Sequence, residues 1–143
     1  MKQDIEEFFN TMVRFRKVMA NLYPEGEDKH STMLQFSALN FIQENPDILV
    51  SELGNLLHLS KSSSTQLIAR LVKNGHVKRL QDKNDKRETH LLLSSSGKNE
   101  LLAMKEKILL KFEKVLSRLP EHDLKELLRI QKTLLVKLEV KQG

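Results

Sequence analysis

Two stretches of the sequence hold side chains whose types and spacing could do chemistry, and in both it is the chemistry of gripping a polyanion. The first reads Ser60-Lys61-Ser62-Ser63-Ser64-Thr65-Gln66, with Ala69, Arg70 and Lys73 further on. With the apolar stripe removed, Lys61, Ser62, Ser63, Thr65, Gln66, Arg70 and Lys73 remain on the other faces of a helix capped by Ser60. Hydroxyls and Gln66 can contact phosphates or base edges, while Lys61 and Arg70 can take phosphates or guanine. The second stretch is the loop Asp82-Lys83-Asn84-Asp85-Lys86-Arg87. A loop ending in arginine suits a minor groove, which is narrow and electronegative where it is A·T-rich. Asp85 lies close enough to Arg87 to hydrogen-bond the loop or to hold the guanidinium.

Each stretch has a plainer reading, a solvated helix with a serine cap and a polar hairpin tip. Charge placement favours the first reading over the second. Residues 60–90 carry eight basic side chains against three acidic ones, a surplus equal to the whole chain's formal +5, so the remainder is neutral. A focused basic patch is what counterion release from nucleic acid requires.

Other chemistries find little support. Cysteine is absent, which removes disulfides, thiolate metal sites and thiol redox sensing. The five histidines, His30, His58, His76, His90 and His122, show no i, i+4 pair and read as structural or surface residues, so no metal site and no cofactor is expected. There is no phosphate-binding glycine loop, and no nucleophile and base can be paired from spacing. No apolar stretch approaches the ~20 residues that span a bilayer, and no signal-like run follows Met1, so a cytoplasmic protein without a membrane partner is expected.

Periodicity supplies the elements that must position the two stretches. Ile5, Phe8, Phe9, Met12, Phe15, Met19 and Leu22 make one helical stripe, which Pro24 and Gly26 end. Ser31 can cap a second helix over 31–44 that turns Leu34, Ala38, Phe41 and Ile42 inward and stops at Asn45-Pro46. After a short extended piece at Leu49-Val50, a third helix opens at Ser51-Glu52, with Leu53, Leu56 and Leu57 on one face. Ser60 then caps a fourth, whose stripe is Leu67, Ile68, Leu71 and Val72 and whose C′ residue is Gly75. Two short helices joined at His58-Leu59-Ser60 form a helix-turn-helix. Residues 77–80 and 89–93 read as the strands of a hairpin around the polar loop. From 96 to 119 a long helix carries Leu101, Met104, Ile108, Phe112, Val115 and Leu119, with a second row at Leu102, Leu109 and Leu116. Pro120 ends it, and a last helix bears Leu124, Leu127, Leu128, Leu134, Leu135 and Leu138.

The succession Val50-Ser51-Glu52-Leu53, Leu59-Ser60-Lys61, Thr65, Leu71, Gly75, Val77, Asp82 to Arg87, Leu93 and Ser96-Gly97-Lys98 resembles the MarR family of multiple-antibiotic-resistance regulators. Its most specific piece is the Asp-x-Arg at Asp85-Lys86-Arg87. The resemblance implies a mainly α fold with a small β-hairpin wing, a winged helix-turn-helix with long N- and C-terminal dimerisation helices. It divides the chain into a dimerisation helix and connection (1–30), a DNA-binding lobe (31–95) and C-terminal dimerisation helices (96–143). It further implies a homodimer on double-stranded DNA at a pseudo-palindromic operator, most commonly as a repressor, and modulation by a small-molecule effector. The DNA-binding set would be Ser60, Lys61, Ser62, Ser63, Thr65, Gln66, Arg70, Lys73, Lys83, Asp85, Lys86 and Arg87. Two-fold symmetry also accounts for end helices with more apolar surface than a small lobe can cover. Effector residues are not readable; Tyr23 and His30 lie where they could approach a ligand or simply pack. Three positions depart from the family pattern: Gly54 replaces a usual alanine, at about 1 kcal/mol of helix propensity. His58 stands where a turn glycine is common, and Ser64 replaces an apolar residue, which predicts light packing on that side of the fourth helix. A protein-binding winged module and a metal-responsive regulator are the alternatives.

Overall fold

A computed structural model describes residues 1–22 and 29–139. Elements follow in the order α1 (Lys2–Met19), a 3-10 turn (Ala20–Leu22), α2 (Lys29–Glu44), β1 (Ile48–Leu49), α3 (Val50–Leu56), α4 (Lys61–Lys73), β2 (Val77–Gln81), β3 (Thr89–Leu93), α5 (Ser95–Leu116) and α6 (Glu121–Glu139). The chain divides into two compact units, Met1–Ile108 and Leu109–Gly143. Tyr23 lies outside the described residues, as does the side chain of His30. Helix α2 is already helical at Lys29, ahead of the expected cap at Ser31.

In the first unit one apolar core joins the elements of the lobe. Ala38, Leu39 and Ile42 of α2 meet Leu53 of α3, Leu67, Ile68 and Leu71 of α4, and Leu91 of the central strand. The sheet is antiparallel in the order β1-β3-β2, with Ile48 opposite Leu91 and Val77 opposite Leu93. The extended piece before α3 is thus a third strand, and the hairpin is anchored on its inner side by β1. Leu56 is exposed rather than inward, because it falls on the edge of a stripe centred on Leu53 and Leu57 in a helix of 7 residues.

Local signals set the helix ends. Glu52 accepts a hydrogen bond from the Leu49 N–H at 3.3 Å and closes the entry to α3. Ser60 Oγ accepts from the Ser63 N–H at 3.1 Å, which caps α4. At the other end Gly75 has φ 78, and the Gly75 and His76 N–H groups donate to the Val72 and Leu71 carbonyls, both at 3.0 Å. That is a Schellman motif, whose left-handed residue favours glycine. The His76 carbonyl then accepts from the Ser94 N–H at 3.0 Å, and Ser94 Oγ accepts from the Gly97 N–H at 2.9 Å to cap α5. A Cβ on Gly97 would stand 2.0 Å from the His76 oxygen, so only glycine lets α5 approach this turn.

Helix α5 buries Leu101, Met104 and Ile108, while Leu102 and Leu109 face outward. It ends at Leu116, before the expected Leu119. Helices α1 and α6 bury no residue at all. No helix among the described residues is long and apolar enough to cross a membrane.

Candidate nucleic-acid interface

Helix α4 is amphipathic in the sense the sequence required. Its buried side holds Ser64, Leu67, Ile68 and Leu71. Lys61, Ser62, Ser63, Thr65, Gln66, Arg70 and Lys73 are all exposed on the remaining faces. Two of the hydroxyls are already used in part. Ser60 Oγ donates to Ser63 Oγ at 3.0 Å, and Thr65 Oγ1 donates to the Lys61 carbonyl at 2.8 Å, leaving their lone pairs and the Ser62 and Gln66 side chains to outside partners. Ser60 is therefore first a cap, with its side chain turned into the helix start.

Ser64 is buried, not lightly packed, and its partner is Gly54, another of the three departures noted in the sequence. A Cβ placed on Gly54 would meet Ser64 Oγ at 2.6 Å. The hydroxyl is held there by donating to the Ser60 carbonyl at 2.9 Å. A glycine in α3 and a small hydroxyl in α4 thus allow these two helices to pack closely, which fixes the angle at which α4 is presented.

The wing loop, residues 82–88, is built by its own acidic side chains. Asp82 Oδ1 accepts from the Asn84 and Asp85 N–H groups at 2.7 and 3.1 Å, and Asp85 Oδ1 accepts from the Arg87 N–H at 2.9 Å. Gln81 Nε2 donates to the Lys86 carbonyl at 2.9 Å. Asp85 therefore shapes the backbone around Arg87 instead of gripping its guanidinium. Lys83, Lys86 and Arg87 are exposed, and among the described residues no carboxylate pairs with them or with Lys61, Arg70 and Lys73. Cations left without internal counter-ions are free to neutralise phosphates.

Helix and hairpin share a cleft of about 680 Å³, lined among others by Leu59, Lys61, Thr65, Ile68, Arg79 and Arg87. Arg79 was absent from the sequence-derived set. Its signal was weak but present, since it alternates with inward Val77 on a strand and follows Lys78 in the basic segment.

A second feature went unread. His90 donates from Nδ1 to the Asp47 carbonyl and from Nε2 to Asp82 Oδ2, both at 2.7 Å. Both partners are acceptors, so this pairing calls for the doubly protonated ring. The hydrogen bond to the Asp47 carbonyl, followed by that to Asp82, pushes the His90 pKa up. The His90 contact, then the Asn84 and Asp85 N–H groups, lower that of Asp82 to about 2. The pair ties the wing base to the turn between α2 and β1.

With this geometry in view, known proteins supply the comparison. The family model of the MarR family matches residues 31–89. The HTH-type transcriptional regulator TtmR of Methylorubrum extorquens is 33% identical over 67 residues, 47% of this chain and 34% of that protein. The HTH-type transcriptional regulator SarZ of Staphylococcus haemolyticus is 32% identical over 72 residues, 50% of this chain and 49% of that protein. The matched stretch thus spans half or less of these curated relatives. A MarR family protein from Bacillus stearothermophilus has the same fold, with a TM-score of 0.68 at 22% identity, over 96% of this chain and 92% of that one.

Proposed function

We propose that this chain, whose residues 31–89 match the model of the MarR family, is a regulator of that kind, a DNA-binding transcriptional regulator that carries out no covalent chemistry. In this reading it acts as a homodimer, and α4 of each copy enters a major groove while residues 82–88 reach the flanking minor groove. The observation that carries it is the coincidence of three properties on one face. Lys61 and Thr65 of α4 and Arg79 and Arg87 of the hairpin border a single cleft, the segment 60–90 that contains helix and hairpin holds the chain's entire charge surplus, and its exposed cations have no internal counter-ions among the described residues.

Roles follow from position. Ser62, Gln66 and Arg70 project from the outer face of α4 and are assigned to base edges and adjacent phosphates. Lys61, Ser63, Thr65 and Lys73 flank them as backbone contacts, with Ser60 presenting the helix N-terminus. Lys83, Lys86 and Arg87 serve the wing, and Asp85 positions Arg87. The division at 1–30, 31–95 and 96–143 then separates elements that bind a second copy from the lobe that reads DNA. Repression is the expected outcome, by occupancy of a pseudo-palindromic operator. A small ligand would act by shifting the two α4 helices away from the ~34 Å that consecutive major grooves require. Ligands that bind the dimer yet leave its DNA affinity unchanged would refute that last step.

The test is binding to the chain's own upstream promoter fragment and to a scrambled duplex at two salt concentrations, with the dimer state followed alongside. Selective binding should weaken steeply with salt, with a log–log slope of about −0.9 per phosphate contacted. No binding to either duplex at low salt would reject direct DNA recognition and favour a protein-binding winged module.

A further inference from the structure

We propose that Asp82, Glu88 and His90 form a binding site for one divalent transition-metal ion at the base of the wing. Their carboxylate oxygens and the ring nitrogen lie within 4.8 Å of one another. They come from the two ends of one loop. Asp82 follows β2, Glu88 precedes β3, and His90 is the second residue of β3. Three ligand side chains thus converge where the hairpin's own pairing brings the strands together.

Histidine orientation carries the argument beyond mere proximity. A metal-binding imidazole is commonly held by a hydrogen bond from its other nitrogen to a carbonyl, which fixes the ring and leaves the ligating lone pair aimed at the ion. His90 has that support from outside the cluster, because its Nδ1 donates to the Asp47 carbonyl at 2.7 Å while Nε2 faces the carboxylates. Asp82 is braced as well, since its Oδ1 accepts two backbone N–H groups and keeps Oδ2 turned towards His90. Glu88 is exposed, its side chain is free of internal partners among the described residues, and it can swing onto an ion without breaking a contact. On binding, the ion takes the place of the Nε2 proton, which leaves to solvent, and the remaining coordination positions go to water.

One imidazole nitrogen and two carboxylates suit a borderline first-row ion better than Mg²⁺ or Ca²⁺, and Zn²⁺ stands near the top of the affinity order for such donors. The ion would lock together the two ends of the loop that presents Lys83, Lys86 and Arg87.

The experiment is titration of the full chain with Zn²⁺ alone, read by calorimetry and by thermal unfolding, with Mg²⁺ as the control. One Zn²⁺ per chain should bind at this site and raise Tm by about 2–4 °C, with Mg²⁺ giving no comparable shift. Glu88→Gln removes a ligand and leaves the wing's hydrogen bonds in place, because residue 88 takes part in them only through its backbone. It should weaken Zn²⁺ more than roughly tenfold, since even a change behind a ligand can cost that much. His90→Gln should do the same, and the ring ¹⁵N shifts of His90 should move on Zn²⁺ addition to the wild type. Absence of binding, or equal binding by Glu88→Gln with unmoved His90 resonances, overturns the site. None of these readouts involves DNA. Stronger duplex binding in Zn²⁺ is a separate arm that rests on the regulatory reading, so loss of that arm alone leaves the site standing.

Discussion

Gly54 and Ser64 illustrate what a single residue's identity does and does not reveal. Read separately, one looked like a cost in helix propensity and the other like a gap in packing. In the fold they are one contact, since a side chain on residue 54 would occupy the place of Ser64 Oγ. The sequence could not have paired them, because their contact joins two helices through the turn. Local features fared better. Ser60 as a cap and Gly75 in the left-handed region were legible because both depend on neighbours a few residues away. His90 was not, since its Asp47 partner stands 43 residues upstream. The Gly54–Ser64 contact makes a prediction with a definite sign. Gly54→Ala gains about 1 kcal/mol of helix propensity, but its Cβ would lie 2.6 Å from a hydroxyl that is tied to the Ser60 carbonyl. Overpacking of this kind costs about 1–3 kcal/mol, so Gly54→Ala alone should be neutral to destabilising. In a Ser64→Ala background the same change should stabilise, giving a coupling of about 1–2 kcal/mol by chemical denaturation. Additive effects would mean that the two helices adjust freely and that the contact is incidental.

At the scale of the element, the wing shows how much a charged loop can organise itself. Its strands and polar tip were evident from alternation and composition. The third strand was seen only as an extended piece, because its pairing with β3 is non-local. The role of Asp85 stood between two options, the loop or the guanidinium, and the geometry selects the loop, with the Arg87 N–H donating to Asp85 Oδ1 at 2.9 Å. Two substitutions then separate charge from shape. Asp85→Asn keeps an oxygen acceptor and removes a negative charge near the proposed phosphates, so duplex affinity should hold or rise. Asp85→Ala removes the same charge but also the acceptor, and releasing the turn should cost about 1 kcal/mol of ordering, roughly fivefold in affinity. Arg87→Ala should cost about tenfold or more and reduce the salt slope by about one. Electrophoretic mobility or anisotropy titrations at several salt concentrations would measure all three. If both Asp85 variants bind tighter by the same factor, Asp85 acts through charge alone and positions nothing.

At the scale of the whole molecule, the question is what covers the helices at its ends. Helix α1 exposes Phe8, Phe9 and Phe15 at 58%, 57% and 53%, and α6 exposes Leu135 and Leu138 at 56% and 61%. Neither helix has a buried residue. Contiguous apolar surface on this scale is uncommon on a free monomer and marks an interface. The stripes themselves were legible from spacing. That they stay exposed among the described residues required the fold, because an amphipathic helix reads the same whether its partner is its own lobe or another copy. Under the proposed function the partner is a second copy, since a two-fold reader of DNA would need one and an isologous interface uses each stripe twice. Leu135→Glu places a charge at such a position in both copies. Losing a buried leucine costs about 2–5 kcal/mol, and the symmetric repeat enlarges the penalty, so dissociation should be favoured by more than roughly 100-fold. Sedimentation should then find a monomer that keeps the circular dichroism of the wild type. On DNA, affinity for a two-half-site operator should fall to that for a single half-site, while half-site affinity itself is unchanged. A wild type already monomeric at micromolar concentration would refute the dimer. A Leu135→Glu variant that stays dimeric would instead remove α6 from the interface.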